Sequence, residues 1–511
     1  MLAQVYSGAV YGVDAYSVEI EVNAGYGDPA VVIVGLPDTA VKESKDRVHT
    51  AISNSGFKPH VGRTTVNLAP ANVKKEGPLY DLPIAIGMLA AQGEISDVAL
   101  GNYCLLGELA LSGEVRRVKG VLSIAIRARQ DGRRGIIVPV DNAEEAAVVE
   151  GLEVYPVRTL RQTADFLAGR LPQQPFRITL SDVCDSLNEY DEDYADVKGQ
   201  EQAKRAIEVA VAGGHNILMI GPPGSGKTML AKRIPSILAD MQLDEALETT
   251  KIHSISGILR SHHALVTRRP FRSPHHTISD AGLLGGGSHP MPGEVSLAHR
   301  GVLFLDELPE FHRNVLEVLR QPLEEGFVTI SRAAASVTFP CQFMLVSAMN
   351  PCPCGYFGDP KRECRCTSNQ VQNYRNKISG PLLDRIDIHI EVPSIRYQDL
   401  AVISGSEPSS AIRTRIINGR KIQQERFKGQ KKLHCNAGMG PKQIQKYCQL
   451  GADANDYLKM AIIELNLSAR AYDRILKVSR TIADLDYSNE IQSQHVSEAI
   501  QYRTMDRQVW V

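Results

Sequence analysis

The sequence lacks the features that would place the chain in a membrane or mark it for export. No apolar run among the 511 residues approaches the roughly 20 that a helix needs to cross a bilayer. The N-terminus, MLAQVYSGAVYGVDAYSVEIEV, alternates like a strand and has no basic segment followed by an apolar one, so a signal peptide is not expected. These absences predict a cytoplasmic protein, in which clustered cysteines more often bind metal than form disulfides.

An excess of positive charge is also absent. Lys and Arg total 57 against 58 Asp and Glu, which argues against a strongly basic nucleic-acid binder but permits a local basic patch. The sequence has no internal repeat and no low-complexity tract. With 43% hydrophobic residues the composition is that of a soluble globular protein, and the length predicts two to four domains.

What is present is an α/β pattern in successive parts. Residues 1–170 carry short alternating strands and two helical stretches, and residues 171–195 form a Pro-rich, acidic linker. Residues 196–395 alternate helices with apolar strands in a βαβ pattern, and residues 396–511 are largely helical. We therefore predict an α/β domain, a linker, an α/β core and a helical C-terminal domain.

A phosphate-binding loop supplies the chemistry of the core. The strand NILMI runs into GPPGSGKT, which matches G-x-x-x-x-G-K-[ST] in full and precedes a helix-like segment. Its glycines let backbone N–H groups face a phosphate chain, its lysine adds a positive charge near the outer phosphates, and its threonine offers a hydroxyl to Mg²⁺. A plain glycine-rich turn would not require this strand-loop-helix context. The loop comprises Gly221, Pro222, Pro223, Gly224, Ser225, Gly226, Lys227 and Thr228.

Two further apolar strands end in polar residues that would complete such a site. GVLFLDE ends in Asp306, which is placed to hold Mg²⁺, and Glu307, which would polarise the water that attacks the γ-phosphate. CQFMLVSAMN ends at Asn350, whose uncharged polar side chain would orient that water. Acids often mark a strand's exit into solvent, but together with the phosphate loop these residues predict an NTPase site.

Two arginines in the C-terminal half have two interpretations each. Arg385, in SGPLLDRIDIHI, either pairs with Asp384 or Asp387 or reaches a neighbouring subunit's nucleotide as an arginine finger. Arg470 lies near the start of the helical stretch LSARAYDRILKVSRTIADL. It either responds to the nucleotide state from a lid or is a solvated helical arginine.

Other segments resemble one family. IVGLPDTAVKESKDRV, KKEGPLYDLPIAIG, FRSPHHTISDAGLLGGG and NPCPCGYFGD, with the arginine segments, are similar to the competence protein ComM (YifB) family of magnesium-chelatase-like AAA+ ATPases. The resemblance covers nearly the whole chain and implies an AAA+ core with a helical lid, in which Asn350 is the sensor 1 position. It also implies a hexameric ring that uses ATP to translocate on single-stranded, forked or branched DNA. In natural transformation such helicases drive branch migration during homologous recombination.

The resemblance further implies a DNA contact in the pore of the ring. GFVTISRAAASVTFP, at 326–340, is typical of two short strands around a small-residue turn. In the related minichromosome-maintenance helicases a hairpin here projects a basic residue into the pore, and Arg332 is the matching residue. An ordinary hairpin with a surface arginine is the alternative. The insert at 268–300 would form a second pore loop, and its histidines lack the spacing of metal ligands.

The first domain resembles the Lon-protease-like fold of the ribosomal-protein-S5 type. Lon-type proteases carry a nucleophilic serine after Gly-Pro, where this chain has Leu79, and the partner lysine would fall in GVLSIA, which contains none. Ser123 is the only hydroxyl in that stretch. Proteolysis is therefore not expected, and ring assembly or DNA binding is. A metal-chelatase motor, which drives metal insertion into a porphyrin through partner subunits, shares the ATP-site motifs and stays an alternative function.

Four of the nine cysteines cluster as C-x-C-x9-C-x-C, at Cys352, Cys354, Cys364 and Cys366. Four thiolates satisfy tetrahedral Zn²⁺ and leave no open position for catalysis. The C-x-C spacing is tighter than the usual C-x2-C, so a loop of reduced thiols is the alternative. Bound zinc would brace the loop between Asn350 and Arg385.

Overall fold

Contacts within the chain divide it into two units. The computed structural model describes residues 1–178, 190, 192–259, 264–287, 290–332, 335–359, 361–394, 406–430, 433–465 and 467–503, except the side chains of residues 97, 98, 332 and 335. Unit 1 comprises Met1–Asn188, Gln242–Thr267 and Ser331–Phe339. Unit 2 comprises Glu189–Met241, Arg268–Ile330 and Pro340–Val511. The three boundaries expected from the sequence, after residues 170, 195 and 395, stay a prediction.

Unit 1 is a mixed α/β fold. Its elements are β1 (Leu2–Tyr11), β2 (Asp14–Ala24), β3 (Ala30–Val34), α1 (Thr39–Asn54), β4 (Arg63–Ala69), α2 (Asp81–Ala91), α3 (Asp97–Leu100), β5 (Tyr103–Leu105), β6 (Glu108–Leu109), β7 (Val115–Arg116), α4 (Val121–Gln130), β8 (Gly135–Pro139), α5 (Ala143–Ala147), β9 (Glu153–Val157), α6 (Leu160–Leu167) and α9 (Leu243–Ser256). Seven strands form one sheet in the order β3-β4-β2-β1-β5-β8-β9. β1, β2 and β4 pair antiparallel, and the strands on both sides of them pair parallel.

The two stretches that correspond to the Lon dyad have structural roles in unit 1. Leu79 lies in a short turn before α2, a helix whose every residue is buried. The Ser123 hydroxyl donates to the carbonyl oxygen of Val13 at 2.8 Å. The hydroxyl of Ser123 is thus bound to the backbone, and the expectation that this domain is not proteolytic stays a prediction.

Unit 2 contains the predicted core and lid. Its elements are α7 (Glu201–Gly213), β10 (Ile217–Ile220), α8 (Lys227–Ile237), β11 (Phe271–Arg272), α10 (Asp280–Leu284), β12 (Gly285–Gly286), β13 (Met291–Pro292), α11 (Glu294–Leu297), β14 (Val302–Leu305), α12 (Arg313–Val318), α13 (Arg320–Glu325), β17 (Met344–Met349), α14 (Ser368–Arg375), α15 (Gly380–Leu383), β18 (Ile388–Glu391), α16 (Ser409–Arg426), α17 (Pro441–Tyr447), α18 (Ala452–Leu465), α19 (Ala469–Leu485) and α20 (Ser493–Gln501). The last five helices form the predicted helical region.

A five-stranded parallel sheet is the centre of unit 2. Its order is β11-β14-β17-β10-β18, and every neighbouring pair is parallel. All residues of β10, β14 and β17 are buried, as expected for continuous apolar strands that are covered on both faces. Their C-terminal ends therefore open at one edge of the sheet, where α/β folds bind ligands.

The predicted hairpin at 326–340 is present as β15 (Phe327–Arg332) and β16 (Ala335–Pro340). Its turn and the side chain of Arg332 lie outside the described residues, so the predicted pore contact stays a prediction. Part of the predicted linker, residues 179–189 and 191, also lies outside them. Among the described residues, no helix has the length and apolar character that a membrane crossing requires.

Candidate active site

The predicted phosphate loop connects β10 to α8. Residues 221–226 leave the sheet where β10 ends. Gly224 and Gly226 have φ angles of 76° and 88°, a left-handed backbone that costs other residues strain. Gly221 is needed for space instead, since a Cβ there would lie 2.1 Å from the carbonyl oxygen of Val392. The glycines of the motif therefore shape the loop in two different ways.

Lys227 is buried at the first position of α8. Its Nζ donates to the carbonyl oxygen of Gly221 at 2.7 Å and to Asn350 Oδ1 at 3.3 Å. Burial lowers the pKa of this ammonium group, while the charges of Asp306 and Glu307 oppose that shift. The lysine predicted to contact phosphate is thus held between the loop and the end of β17.

Thr228 and Asp306, the predicted Mg²⁺ ligands, are in contact. Thr228 Oγ1 donates to Asp306 Oδ2 at 2.7 Å, and Asp306 Oδ1 accepts from the backbone N–H of Glu307 at 2.9 Å. A hydroxyl and a carboxylate supply the hard oxygen donors that Mg²⁺ prefers. The two residues therefore fit this ion by their chemistry and by their proximity.

Glu307 lies at a strained turn after β14. Its φ is 54°, and its side chain is 57% exposed. The carboxylate oxygen Oε2 lies 3.5 Å from Nδ1 of His276. The sequence pattern did not single out His276, because its segment follows a different strand and carries no metal-ligand spacing.

Asn350 follows β17, the strand between β10 and β14. Ile220 at the end of β10 pairs with Met349, and Leu305 at the end of β14 pairs with Ser347. The three strands therefore end within a few residues of one another. The structure brings the phosphate loop, the acidic pair and Asn350 together at one edge, as the sequence pattern predicts.

The four clustered cysteines also converge. Cys352 Sγ lies 3.4 Å from Cys354 Sγ and 3.7 Å from Cys364 Sγ, and all four sulfur atoms, including that of Cys366, lie within 4.8 Å of one another. Tetrahedral zinc with Zn–S bonds of about 2.3 Å would hold its sulfur atoms about 3.8 Å apart. Backbone N–H groups, first that of Tyr356, lower the pKa of Cys354 to about 6 and so favour a thiolate. The sulfur positions therefore fit a tetrahedral metal ion.

The cysteine loop packs against the phosphate loop. A Cβ on Gly355 would lie 2.5 Å from Cδ of Pro223, so the glycine is needed for this close approach. The side chain of Arg375 donates to the carbonyl oxygen of Pro351 at 3.2 Å and stacks on Phe357 at 5.1 Å. The cysteine loop is therefore fixed beside the nucleotide site on two sides.

Three parts of the chain match families named for magnesium chelatase. Residues 193–400 match magnesium chelatase, subunit ChlI; residues 20–142 match subunit ChlI of Mg-chelatase; and residues 406–503 match the subunit ChlI C-terminal family. The chain is 45% identical to competence protein ComM of Haemophilus influenzae and 44% identical to uncharacterized protein YifB of Escherichia coli. Each similarity covers 99% of this chain and 98% of the relative. The chain belongs to the YifB/ComM family of magnesium-chelatase-like proteins.

Membership of the YifB/ComM family confirms the predicted fold class. The parallel sheet and phosphate loop of unit 2 are the AAA+-type core, and helices follow it. A shorter similarity, 25% identity to Lon protease 2 of Bacillus subtilis, covers 34% of each chain and supports the Lon-like prediction.

Arg385 of this YifB/ComM-family chain pairs with neither of the two acids that the sequence suggested. It is buried beside α15, where its guanidinium pairs with Glu324 of α13 and donates to the carbonyl oxygen of Pro381. The Glu324 side chain is 56% exposed. The partner comes from a helix 61 residues earlier in the chain, so spacing along the sequence could not identify it.

Two arginines of α19 form ion pairs with the acids on either side of Arg385. The 67%-exposed Arg470 pairs with Asp384 at 3.0 Å. One turn later Arg474 pairs with the buried Asp387 at 2.8 Å. The predicted lid helix is therefore tied to both sides of the arginine segment, and Arg474 is a residue that sequence reasoning missed.

Asp387 is the centre of a buried polar network. His215 Nδ1 lies 3.3 Å from Asp387 Oδ2, and His215 Nε2 lies 2.8 Å from the Thr481 hydroxyl of α19. Burial alone would raise the pKa of Asp387, but the charge of Arg474 and the hydrogen bond with His215 hold it well below its usual value. Burial lowers the pKa of His215. In the folded chain Asp387 is therefore a carboxylate and His215 a neutral imidazole. His215, just before β10, links that strand to the lid helix α19.

The variant Asp387→Asn tests how strongly this network holds unit 2. Removing the charge that Arg474 faces should lower the free energy of unfolding by about 3 kcal/mol, since breaking a buried ion pair leaves one charge uncompensated. The matched control is Asp384→Asn, whose partner Arg470 is exposed, and it should cost less than about 1 kcal/mol. Calorimetric unfolding at pH 7.5 measures both. Equal losses in the two variants would contradict the assignment.

The same network should make unit 2 sensitive to acid. Folded His215 resists protonation, whereas in the unfolded chain it takes up a proton below about pH 6.5. The unfolded state then binds more protons, so stability should fall as the pH drops through that value, and further below about pH 4 as unfolded Asp387 protonates. The variant His215→Gln should reduce the first loss. A wild-type midpoint that stays constant between pH 7.5 and 5.5 would contradict this.

Proposed function

We propose that the chain is an ATP-driven, ring-forming DNA translocase that promotes branch migration during homologous recombination in natural transformation. The observation that carries the proposal is the contact of Thr228 with Asp306 at 2.7 Å beside Lys227 and Asn350, which is the arrangement an NTPase site needs. The relative named competence protein ComM supports the link to transformation. The site of action is the cytoplasm.

In the proposed reaction each residue of the candidate site at the edge of the parallel sheet has one role. Backbone N–H groups of the loop and the Lys227 ammonium bind the phosphates of ATP, and Thr228 and Asp306 would hold Mg²⁺. The bound ion would neutralise charge on the β- and γ-phosphates. Glu307 accepts a proton from water as the water oxygen bonds to the γ-phosphorus and the bond to ADP breaks. Asn350 orients that water.

Arg385 would complete the site of a neighbouring subunit, and Arg470 would respond to the nucleotide from the lid. The Glu324 carboxylate that now pairs with the buried Arg385 is itself 56% exposed, so it can withdraw into water. An incoming γ-phosphate, with more charge in a drier site, would replace it. Hydrolysis would then depend on assembly, and a hexamer is the proposed form.

The proposed organisation is a Lon-like, non-proteolytic domain at 1–170, a linker at 171–195, an AAA+ core at 196–395 and a lid at 396–511. The first domain would serve ring assembly or DNA binding. The hairpin that carries Arg332 would face single-stranded, forked or branched DNA in the pore, where a few basic groups per subunit form a basic channel.

A chelatase-type motor that drives metal insertion through partner subunits is the second candidate. The three family matches are all named for magnesium chelatase, and they favour it to that extent. The two candidates differ in the ligand that should stimulate ATP hydrolysis.

DNA-stimulated ATP hydrolysis separates the two candidates. Forked DNA should raise the rate of ATP hydrolysis by the wild-type chain several-fold and increase the fraction assembled in rings. A translocase hydrolyses ATP as it moves along DNA, so its rate depends on bound DNA. Lys227→Ala should hydrolyse no ATP under either condition. Steady-state rates and mass photometry give both readouts. A rate and an oligomer that DNA leaves unchanged would contradict the translocase proposal.

Mixed rings test the role of Arg385. Arg385→Ala should bind ATP normally and hydrolyse it roughly 10³-fold more slowly, because the charge on the γ-phosphate is no longer stabilised. A mixture of Arg385→Ala with Lys227→Ala should regain activity, since sites form with an intact loop on one subunit and an intact arginine on the next. The control Arg320→Ala, at an exposed ion pair, should stay active. A mixture that stays inactive would contradict action between subunits.

Metal analysis tests the cysteine cluster. The chain purified without a histidine tag should carry about one zinc ion per subunit, bound by four thiolates. Cys352→Ser should lose the zinc and lower ATP hydrolysis, because its loop begins at Asn350 and packs on Pro223. Cys435→Ser, at a half-buried cysteine outside the cluster, is the matched control and should keep both. Wild-type protein without zinc and with full activity would contradict the zinc brace.

A further inference from the structure

The turn between β1 and β2 contacts the hairpin of β15 and β16. Tyr11, the last residue of β1, donates its phenolic hydroxyl to the carbonyl oxygen of Ser336 at 2.9 Å. Beside it, a Cβ on Gly12 would lie 3.0 Å from Cγ1 of Val337. Val337 is only 5% exposed, so the hairpin is packed at this point as well as hydrogen-bonded. These contacts agree with the division of the chain, which places Ser331–Phe339 in unit 1.

The β1–β2 turn is itself fixed within unit 1. Gly12 has a φ of 64°, a left-handed backbone that a two-residue hairpin turn commonly requires. The carbonyl oxygen of Val13 accepts the hydroxyl hydrogen of Ser123 on α4 at 2.8 Å. β1 and β2 pair along their whole length, up to Tyr11 opposite Asp14. The hairpin is therefore held by a turn that cannot move independently of the sheet.

The same turn holds a second segment, the helix α9. Asp14 pairs with Lys251 of α9 at 3.2 Å. Ser254 of α9 accepts from the backbone N–H of Gly120 at 3.0 Å and donates to the buried carboxylate of Glu145. Unit 1 thus contains two segments, α9 and the tip of the hairpin, whose flanking residues on both sides belong to unit 2.

The hairpin is joined closely to the strand that carries the candidate site. Residues 341–343 alone separate β16 from β17, and β17 is followed by Asn350. On the other strand of the hairpin, Ser331 Oγ lies 3.0 Å from Ser336 Oγ, and Arg332 comes next. The residue that Tyr11 holds is therefore close to the position proposed to meet DNA. A short connection and a buried strand join it to the residue proposed to orient water, and packed strands move as units.

We propose that the β1–β2 turn of unit 1 anchors the hairpin and thereby couples DNA in the pore to ATP hydrolysis. The coupling rests on the proposed translocase function. A hairpin held at Ser336 has one arrangement in each state of the site, whereas a free hairpin samples many. Only the held hairpin makes DNA binding and hydrolysis depend on each other, because only then does a shift caused by DNA reach β17. Tyr11 and Gly12 contact neither ATP nor DNA in this role.

Two variants loosen the anchor without changing the ATP site. Tyr11→Phe removes the hydroxyl, and Gly12→Ala adds a Cβ against Val337. Amide hydrogen exchange, followed by mass spectrometry, should become roughly 10-fold faster in the hairpin when its anchoring hydrogen bond is lost. ATP hydrolysis without DNA should stay at the wild-type rate. Stimulation by forked DNA should fall from several-fold to less than about 2-fold, because the two events are no longer linked.

Matched controls separate the anchor from general destabilisation. Gly132→Ala adds a Cβ at a similar φ of 74°, and no described atom lies within 4 Å of it. Tyr26→Phe removes a hydroxyl from a fully exposed side chain. Both controls should match wild type in exchange and in DNA stimulation.

The outcomes also distinguish the coupling from the proposed function. If DNA does not stimulate the wild-type chain, the translocase proposal fails and the coupling fails with it. If DNA stimulates the wild-type chain and stimulates Tyr11→Phe and Gly12→Ala equally well, only the coupling is overturned. Hairpin exchange that neither variant accelerates would overturn the anchor itself.

Discussion

The parallel pairing of β17 with β10 on one side and β14 on the other is the constraint on which the candidate site depends. The bonds between site residues are individually modest, since a hydrogen bond contributes about 1 kcal/mol net. The contacts of Lys227 with Asn350 and of Thr228 with Asp306 could not assemble the site alone. The three buried strands fix where their following residues lie, and the polar contacts then select orientations.

Charged pairs of two kinds surround the arginine segment, and the difference between them has a physical meaning. In the pair of Arg474 and Asp387 the carboxylate is buried and also binds His215, so separating the pair would leave that carboxylate without solvent and without its main countercharge. In the pair of Arg385 and Glu324 the guanidinium is buried and the carboxylate is exposed, so the carboxylate can withdraw into water. In the proposed ring the pair of Arg474 and Asp387 would keep the lid on the segment that carries Arg385, while the pair of Arg385 and Glu324 opens.

The features of the candidate site that can be predicted from the sequence are those formed by residues close together along the chain. The phosphate loop, the strand ends at Asp306 and Asn350 and the four cysteines are each recognisable from a few neighbours, and the order of apolar strands implies that they meet. The contact of His276 with Glu307 was missed because it depends on which strand β11 pairs with, a long-range choice that spacing does not encode. Glu324 was missed for the same reason, because α13 is far from Arg385 along the chain. Arg470 and Arg474 lie one turn apart on one helix, and periodicity alone cannot say which of them meets the buried acid.

The cysteine loop can be ordered by metal ligation, whereas most of the fold is ordered by the packing of apolar side chains. Between residues 352 and 366 only Cys352 and Gly355 are buried among the described residues, so the loop has little apolar area with which to offset the entropy of ordering its backbone. Four thiolates on one metal ion would provide that offset without a core, as in small zinc domains. A glycine at 355 then lets the ordered loop touch Pro223 of the phosphate loop. This favours a structural ion over free thiols, because the contacts with Pro223 and Arg375 hold the two faces of the loop but bury few of its side chains.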